Sequence, residues 1–307
     1  MRRENVIGAT LALLVLAGLI AHWGWTHRRS TFGAPFTAPS IGLPTRPSVP
    51  ITAPAAPDDE ETTRVRASIA PSGVALDRLL VLYERGGQRI YAVVVRGSEA
   101  LTSWRALRAQ VGASGRWPVV LGDGEAVMRV GEMRDYAAPP DVILSDAHQL
   151  DVDAWLRARH AQFDAYLPHG AWPMGLTAPE QASLTIGTDI LSGAPLDEVA
   201  IALLPTPDPT QAAAWLPYGN FNDCPDDAVH VALFRRWRAR YGAEIYGVTG
   251  DVVEMIVSRP PQDRASALEL AEEQGAFDYD VVAQGVETVE GLAATLMQST
   301  TWYFWWD

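Results

Sequence analysis

The 307-residue sequence contains no lysine; all 24 basic side chains are arginine. That excludes Schiff-base catalysis and any phosphate-binding loop that ends in lysine. It contains a single cysteine, Cys224, so no disulfide forms within the chain and cysteine usage says nothing about redox compartment. Basic charge is also scarce. The formal net charge of -13 repels phosphate backbones, so no nucleic acid is expected as a partner. The six histidines include no pair at zinc-ligand spacing, and no cofactor is expected. The rest is of ordinary globular composition, 48% hydrophobic and 20% charged.

One long apolar run is present, Val6–Trp25. About 20 such residues cross a bilayer as a helix. Arg2 and Arg3 precede it, Trp23 and Trp25 stand where an interfacial aromatic belt would lie, and His27, Arg28 and Arg29 follow. A cleaved signal peptide is the competing reading, but no small-x-small cleavage site follows the apolar core. The run therefore reads as an uncleaved, single-pass anchor over 1–30, with the membrane as a partner through Val6–Trp25. Both flanks are positive, so orientation rests on the simplest assignment, which leaves the globular part extracytoplasmic; a cytoplasmic globular part is the alternative. Next comes a stretch rich in Pro, Ala, Ser and Thr over 31–63, closed by Asp58, Asp59, Glu60 and Glu61. It reads as a disordered, semi-stiff spacer.

From Arg64 the pattern predicts an α/β (or α+β) fold: a mixed sheet with helices on both faces, in two similar halves, 64–192 and 193–307. Leu79–Tyr83 and Arg89–Val95 read as strands about the turn Gly86–Gly87. Ser103–Val111 reads as a helix, Trp117–Leu121 as a strand, Ala126–Val130 as a further strand after Gly122-Asp123-Gly124, and Asp153–Phe163 as a helix. Pro139 and Pro140 read as a break, and Tyr166–Ser192 as a long loop. In the second half Val199–Leu204 reads as a strand. Pro225 stands at the start of a helix whose first turn holds Asp226 and Asp227 and whose last turns hold Arg235, Arg236, Arg238 and Arg240, matching the helix dipole. Val229, Leu233, Trp237 and Tyr241 form its apolar stripe, and Gly242 stops it. Glu244–Val248 and Val252–Val257 form a hairpin across Thr249-Gly250-Asp251. Asp263 caps a helix reaching about Gln274, and Thr288 caps another. The order helix, glycine, strand, Gly-Asp turn, strand occurs in both halves. The aromatic terminus Trp302-Tyr303-Phe304-Trp305-Trp306 reads as a strand in the middle of the sheet, covered on both faces.

The second half also carries Asn222-Asp223-Cys224-Pro225, Tyr241-Gly242-Ala243-Glu244, Thr249-Gly250-Asp251, Arg259-Pro260-Pro261, Gln284-Gly285 and the closing Trp302-Tyr303-Phe304-Trp305-Trp306-Asp307. In this order the segment from about 199 to 307 resembles the bacterial family catalogued as domain of unknown function 4253. The resemblance implies an α/β fold and no catalytic residues. Two departures stand out: Asn220-Phe221 where members often carry Gly-Trp, and Phe277-Asp278-Tyr279-Asp280 where a second cysteine often lies. A paired-cysteine site is therefore excluded.

Candidate chemistry is sparse. Cys224 with His230 could serve as thiol and base, with Asp223 beside them. Against this, Asp223, Asp226 and Asp227 would raise the thiol pKa, and residues six apart on a helix do not face each other. Asp223, Asp226, Asp227, Asp251 and Asp307 could gather around a hard cation, with Asp223 and Asp251 the named candidates, yet no calcium-loop spacing is present, so no metal is expected. The 11 tryptophans could line a groove, but Trp237, Trp302 and Trp305 fall on core positions. The arginine cluster reads as a solvated face rather than an anion site. The sequence thus favours a membrane-tethered module that binds an unknown protein or small-molecule ligand. A hydrolase with its site around Asn222, Asp223, Cys224 and Asp251 is the alternative, and a structural role at the cell envelope is a third possibility.

Overall fold

A computed structural model of the chain describes residues 48–163, 167–174, 184–219 and 221–306. The segment Val6–Trp25 and the residue Asp307 lie outside them. Among the described residues no helix is long and apolar enough to cross a membrane.

Strands β1 (Leu79–Arg85) and β2 (Gln88–Val95) form the expected hairpin. Gly86 and Gly87 both take positive φ, 55° and 71°, the turn geometry that matches the twist of paired strands. The later strands are β3 (Trp117–Gly122), β4 (Val199–Leu204), β5 (Ala243–Val248), β6 (Val252–Val257) and β7 (Thr301–Trp305). They make one seven-stranded mixed sheet in the order β1-β2-β4-β3-β5-β6-β7. Among the described residues only β3 and β5 pair in parallel. β4, placed by the sequence in the second half, lies between β2 and β3 and runs antiparallel to both. Every residue of β3 and β4 is buried. Successive strand residues point to opposite faces, so both faces are covered at the centre of the sheet.

Four sequence expectations are corrected. The first concerns Ala126–Val130, which belongs to a helix, Gly124–Met133. The Asp123 carboxylate caps it, accepting from Glu125 N at 3.0 Å and Ala126 N at 3.4 Å. The resemblance between the halves ends there, because the Gly250-Asp251 turn leads into β6 instead. Second, Pro140 opens the helix Pro140–Gln149, where its missing N–H costs nothing. Third, the Pro-rich stretch is packed from residue 48 onward. Ala56 N donates to Leu79 O (2.9 Å), Val81 N to Pro54 O (3.0 Å) and Gly124 N to Val49 O (2.8 Å), and Ile51 is buried. A helix, Glu60–Ile69, then follows, capped by Asp59.

The fourth correction is the aromatic strand. Among the described residues β7 pairs only with β6 and forms an edge of the sheet. Trp302, Phe304 and Trp306 are buried on one face, whereas Tyr303 is 37% exposed. Covering helices Asp227–Tyr241 and Arg264–Phe277 supply Trp237, stacked on Phe304 at 5.4 Å and 4°, and Phe277, edge-on to Phe304 at 5.2 Å. The pairing of β6 with β7 leaves the main-chain groups of Thr301, Tyr303 and Trp305 facing outward. Side chains take several of them. Ser299 Oγ donates to Thr301 O at 2.7 Å, and Asp278 Oδ2 accepts from Trp305 N at 2.9 Å.

Candidate functional site

The site is built at the start of the helix Asp227–Tyr241. Its stripe of Val229, Leu233, Trp237 and Tyr241 is buried as the spacing predicts, and Gly242 ends it. Pro225 lies two residues before the helix rather than in its first turn, and Asp226 is the N-cap. His230 is 1% exposed. Its ring sits among Tyr218 (4.8 Å between centroids), Phe277 (4.8 Å), Trp306 (5.4 Å) and Phe234 (5.6 Å).

Cys224 does reach His230. Its Sγ lies 3.6 Å from His230 Nε2, and the Tyr218 hydroxyl is hydrogen-bonded to His230 Nδ1. The expectation that residues six apart would not face each other assumed a helix through both. The helix begins at Asp227, and Cys224 belongs to the loop that folds back over it. That loop is tight. Gly219 has φ 69°, and a Cβ there would collide with the Cys224 sulfur, so only glycine lets the thiol approach. Asn222 also takes a positive φ, 48°, and Cys224 N donates to Phe221 O at 3.1 Å.

Beside the loop that carries Cys224 opens a cleft of about 550 Å³, lined by Asn222 and Asp223 of that loop and by Tyr279, Asp280 and Trp306. Trp306 is 3% exposed, and its indole Nε1 is buried without a hydrogen-bond partner among the described residues. The turn Thr249-Gly250-Asp251 braces this region through its main chain, since Gly219 N donates to Gly250 O (3.0 Å) and Trp306 N to Asp251 O (3.1 Å). The Asp251 carboxylate turns away, accepting from Thr249 Oγ1 at 2.8 Å and standing 4.0 Å from Arg129. Asn222, Asp223 and Cys224 are thus brought together, while Asp251 contributes only backbone. Among the described residues no three His, Cys, Asp or Glu side chains gather as a metal site.

Burial governs the electrostatics. It pushes the His230 pKa down to about 3, against a smaller upward pull from a hydrogen bond with the Pro225 backbone. The ring is therefore neutral near pH 7, with one protonated nitrogen and one lone pair. Burial raises the Tyr218 hydroxyl well above the usual phenol range. It lifts Asp227 to about 7, opposed by Arg85 and reinforced by Asp226. Asp278 rises to about 8 for the same reason, although the backbone N–H groups of Trp305, Val281 and Asp280 all donate to it and pull the other way.

Residues 200–307 match the family described as Domain of unknown function (DUF4253). No curated protein and no solved structure matches the chain. The DUF4253 segment contains Tyr218, Cys224, His230 and Trp306, so the thiol, the imidazole and the cleft walls all fall inside it. Sequence reasoning missed Tyr218, Tyr279, Asp280 and Trp306 as site residues. The aromatic terminus was conspicuous, but nothing local marks which of its rings faces a cleft. The DUF4253 arginines are mostly engaged: Arg236 and Arg240 hold the buried Glu273 at 2.8 and 2.7 Å, and Arg238 pairs with Asp208 at 2.8 Å. Outside the segment, a second cleft of about 530 Å³ is edged by Glu61, Arg64 and Arg116, which already pair with carboxylates or one another.

Proposed function

We propose that the DUF4253 segment is a thiol-dependent hydrolase working by acyl transfer, with Cys224 as nucleophile, His230 as base and Tyr218 as the group that orients the base. The observation that carries this is the Cys224 Sγ to His230 Nε2 approach of 3.6 Å, with Tyr218 on the opposite ring nitrogen. A ring protonated at Nδ1 donates to the Tyr218 oxygen and leaves Nε2 to take the thiol proton. The sulfur then bonds to the carbonyl carbon of an ester, thioester or amide in the cleft. Collapse breaks the bond to the leaving group, which departs with the proton held by His230. Water cleaves the resulting thioester, releases the acid and restores the thiol.

The full chain incubated with p-nitrophenyl esters and short thioesters is expected to turn over and to carry an acyl group on Cys224 in a quenched mass spectrum. Cys224→Ser and His230→Gln should each cost on the order of a thousandfold in rate. Rates unchanged in folded variants would dismiss the hydrolase.

A second reading, binding without chemistry, is favoured by the cleft itself, whose Asp223, Asp280, Tyr279 and Trp306 suit a small polar ligand. Ligand affinity that survives Cys224→Ser would select it. Tethering through Val6–Trp25 belongs to either reading and is supported by the length and flanks of that run. Retention of the full chain in membranes after alkaline carbonate washing tests it, and release into the wash would argue against it.

A further inference from the structure

The proposed chemistry leaves a difficulty. His230 is enclosed by aromatic rings and is a poor proton acceptor, while Asp223, Asp226 and Asp227, all within three residues of Cys224, oppose a negative sulfur. A thiolate there needs a cation fixed close by.

We propose that Arg159 is that cation: a positioning residue, contributed from outside the DUF4253 segment, that stabilises the Cys224 thiolate. This rests on Cys224 being the nucleophile. Arg159 lies on the helix Val152–Phe163. Its Nη2 donates to Asp223 O at 3.1 Å, the carbonyl immediately before Cys224. Its Nε donates to Ala276 O at 3.1 Å, near the end of the helix Arg264–Phe277. The guanidinium also lies over the Trp155 ring at 5.6 Å. Two carbonyls from two elements and one ring thus fix its plane, as the forked geometry of arginine allows and lysine does not. Half-buried as it is, its charge is felt by both Asp223 and Cys224. The charged and titratable groups of this region are then His230, 3.6 Å from the sulfur, Tyr218 on the far nitrogen of that ring, Asp223, Asp226 and Asp227 within three residues of Cys224 in sequence, Tyr279 and Asp280 in the cleft that Asp223 lines, and Arg159 from the N-terminal region.

The chain has one cysteine, so alkylation by iodoacetamide reads Cys224 alone. The rate should follow the thiolate fraction, and its pH inflection reports the thiol pKa. In Arg159→Gln the inflection is expected to move up by about one unit, with about tenfold slower alkylation near neutrality. Arg159→Lys, which keeps the charge but loses the fork, should recover part of that shift. Circular dichroism and thermal melting identify the variants that stay folded, and Arg159→Lys carries the test if the glutamine variant does not. An inflection in the glutamine variant equal to the wild type, or slowing by the same factor at every pH, would overturn the role. So would an inflection in Arg159→Lys shifted upward beyond one unit. Failure of the hydrolase reading looks different: no ester turnover by the wild type, with the alkylation shift intact.

Discussion

At one edge of the sheet, β1 is shielded by main chain: Pro54 O and Ala56 N pair with Val81 N and Leu79 O at 3.0 and 2.9 Å. At the other edge, β7 is shielded by side chains, with Asp278 on Trp305 N at 2.9 Å and Ser299 on Thr301 O at 2.7 Å. Both devices occupy backbone groups that would otherwise template pairing with another chain. They differ in where the protection is stored. A strap of backbone spreads it over many residues, none of which is decisive. A buried carboxylate concentrates it in one.

That contrast sets the size of the expected effects. The largest is at Asp278, whose two oxygens accept from Trp305 N, Asp280 N and Val281 N at 2.9, 3.0 and 3.3 Å. Asp278→Ala leaves three donors without their partner, one buried and two partly buried, and should cost about 3–5 kcal/mol in urea unfolding. A loss below about 1 kcal/mol would make the two edges equivalent. The same residue gives a pH signature. Its folded pKa of about 8 lies far above the unfolded carboxylate value of about 4, so the native state holds the proton more tightly. The stabilisation is complete at pH values below the unfolded pKa and is lost as pH rises through the folded one. Asp227, lifted to about 7, acts in the same direction. Stability compared at acidic and alkaline pH should fall less steeply in Asp278→Asn than in the wild type; an unaltered slope would mean that Asp278 does not hold the proton.

The next effect lies on the strap. Ile51 is 5% exposed, and Ile51→Ala should cost about 2 kcal/mol, the low end for such truncations because an edge segment can settle into the gap. The smallest is the ion pair of Arg78 with Glu198, whose side chains keep 40% and 32% of their exposure. Arg78→Ala should cost at most about 1 kcal/mol, shrinking further in high salt. Should Arg78→Ala cost more than Asp278→Ala, the proposed division between the edges would be reversed.

The sequence exposed those parts whose cause is local. Gly86-Gly87 announced its hairpin because paired positive φ angles need glycine, and Asp263, Thr288 and Gly242 announced helix ends by cap chemistry. It misled where the cause is distant. Ala126–Val130 has the residues of a strand, and only the Asp123 cap and the packing around it decide for helix. Two apolar sides of the terminal strand do not say which strands flank it, since neighbours in a sheet are a tertiary fact. For the site, Cys224, Asp223 and His230 were legible as candidates, but their approach depends on a loop turning at Gly219, and Arg159 arrives from a helix far earlier in the chain.

The position of β4 has a practical consequence. A fragment cut where the family match begins would start one residue inside that strand and keep neither of its partners, because β2 and β3 both precede it. The border of recognisable ancestry and the border of cooperative folding therefore do not coincide in this chain, and an expression clone drawn along the first would split the sheet through its most deeply enclosed rung.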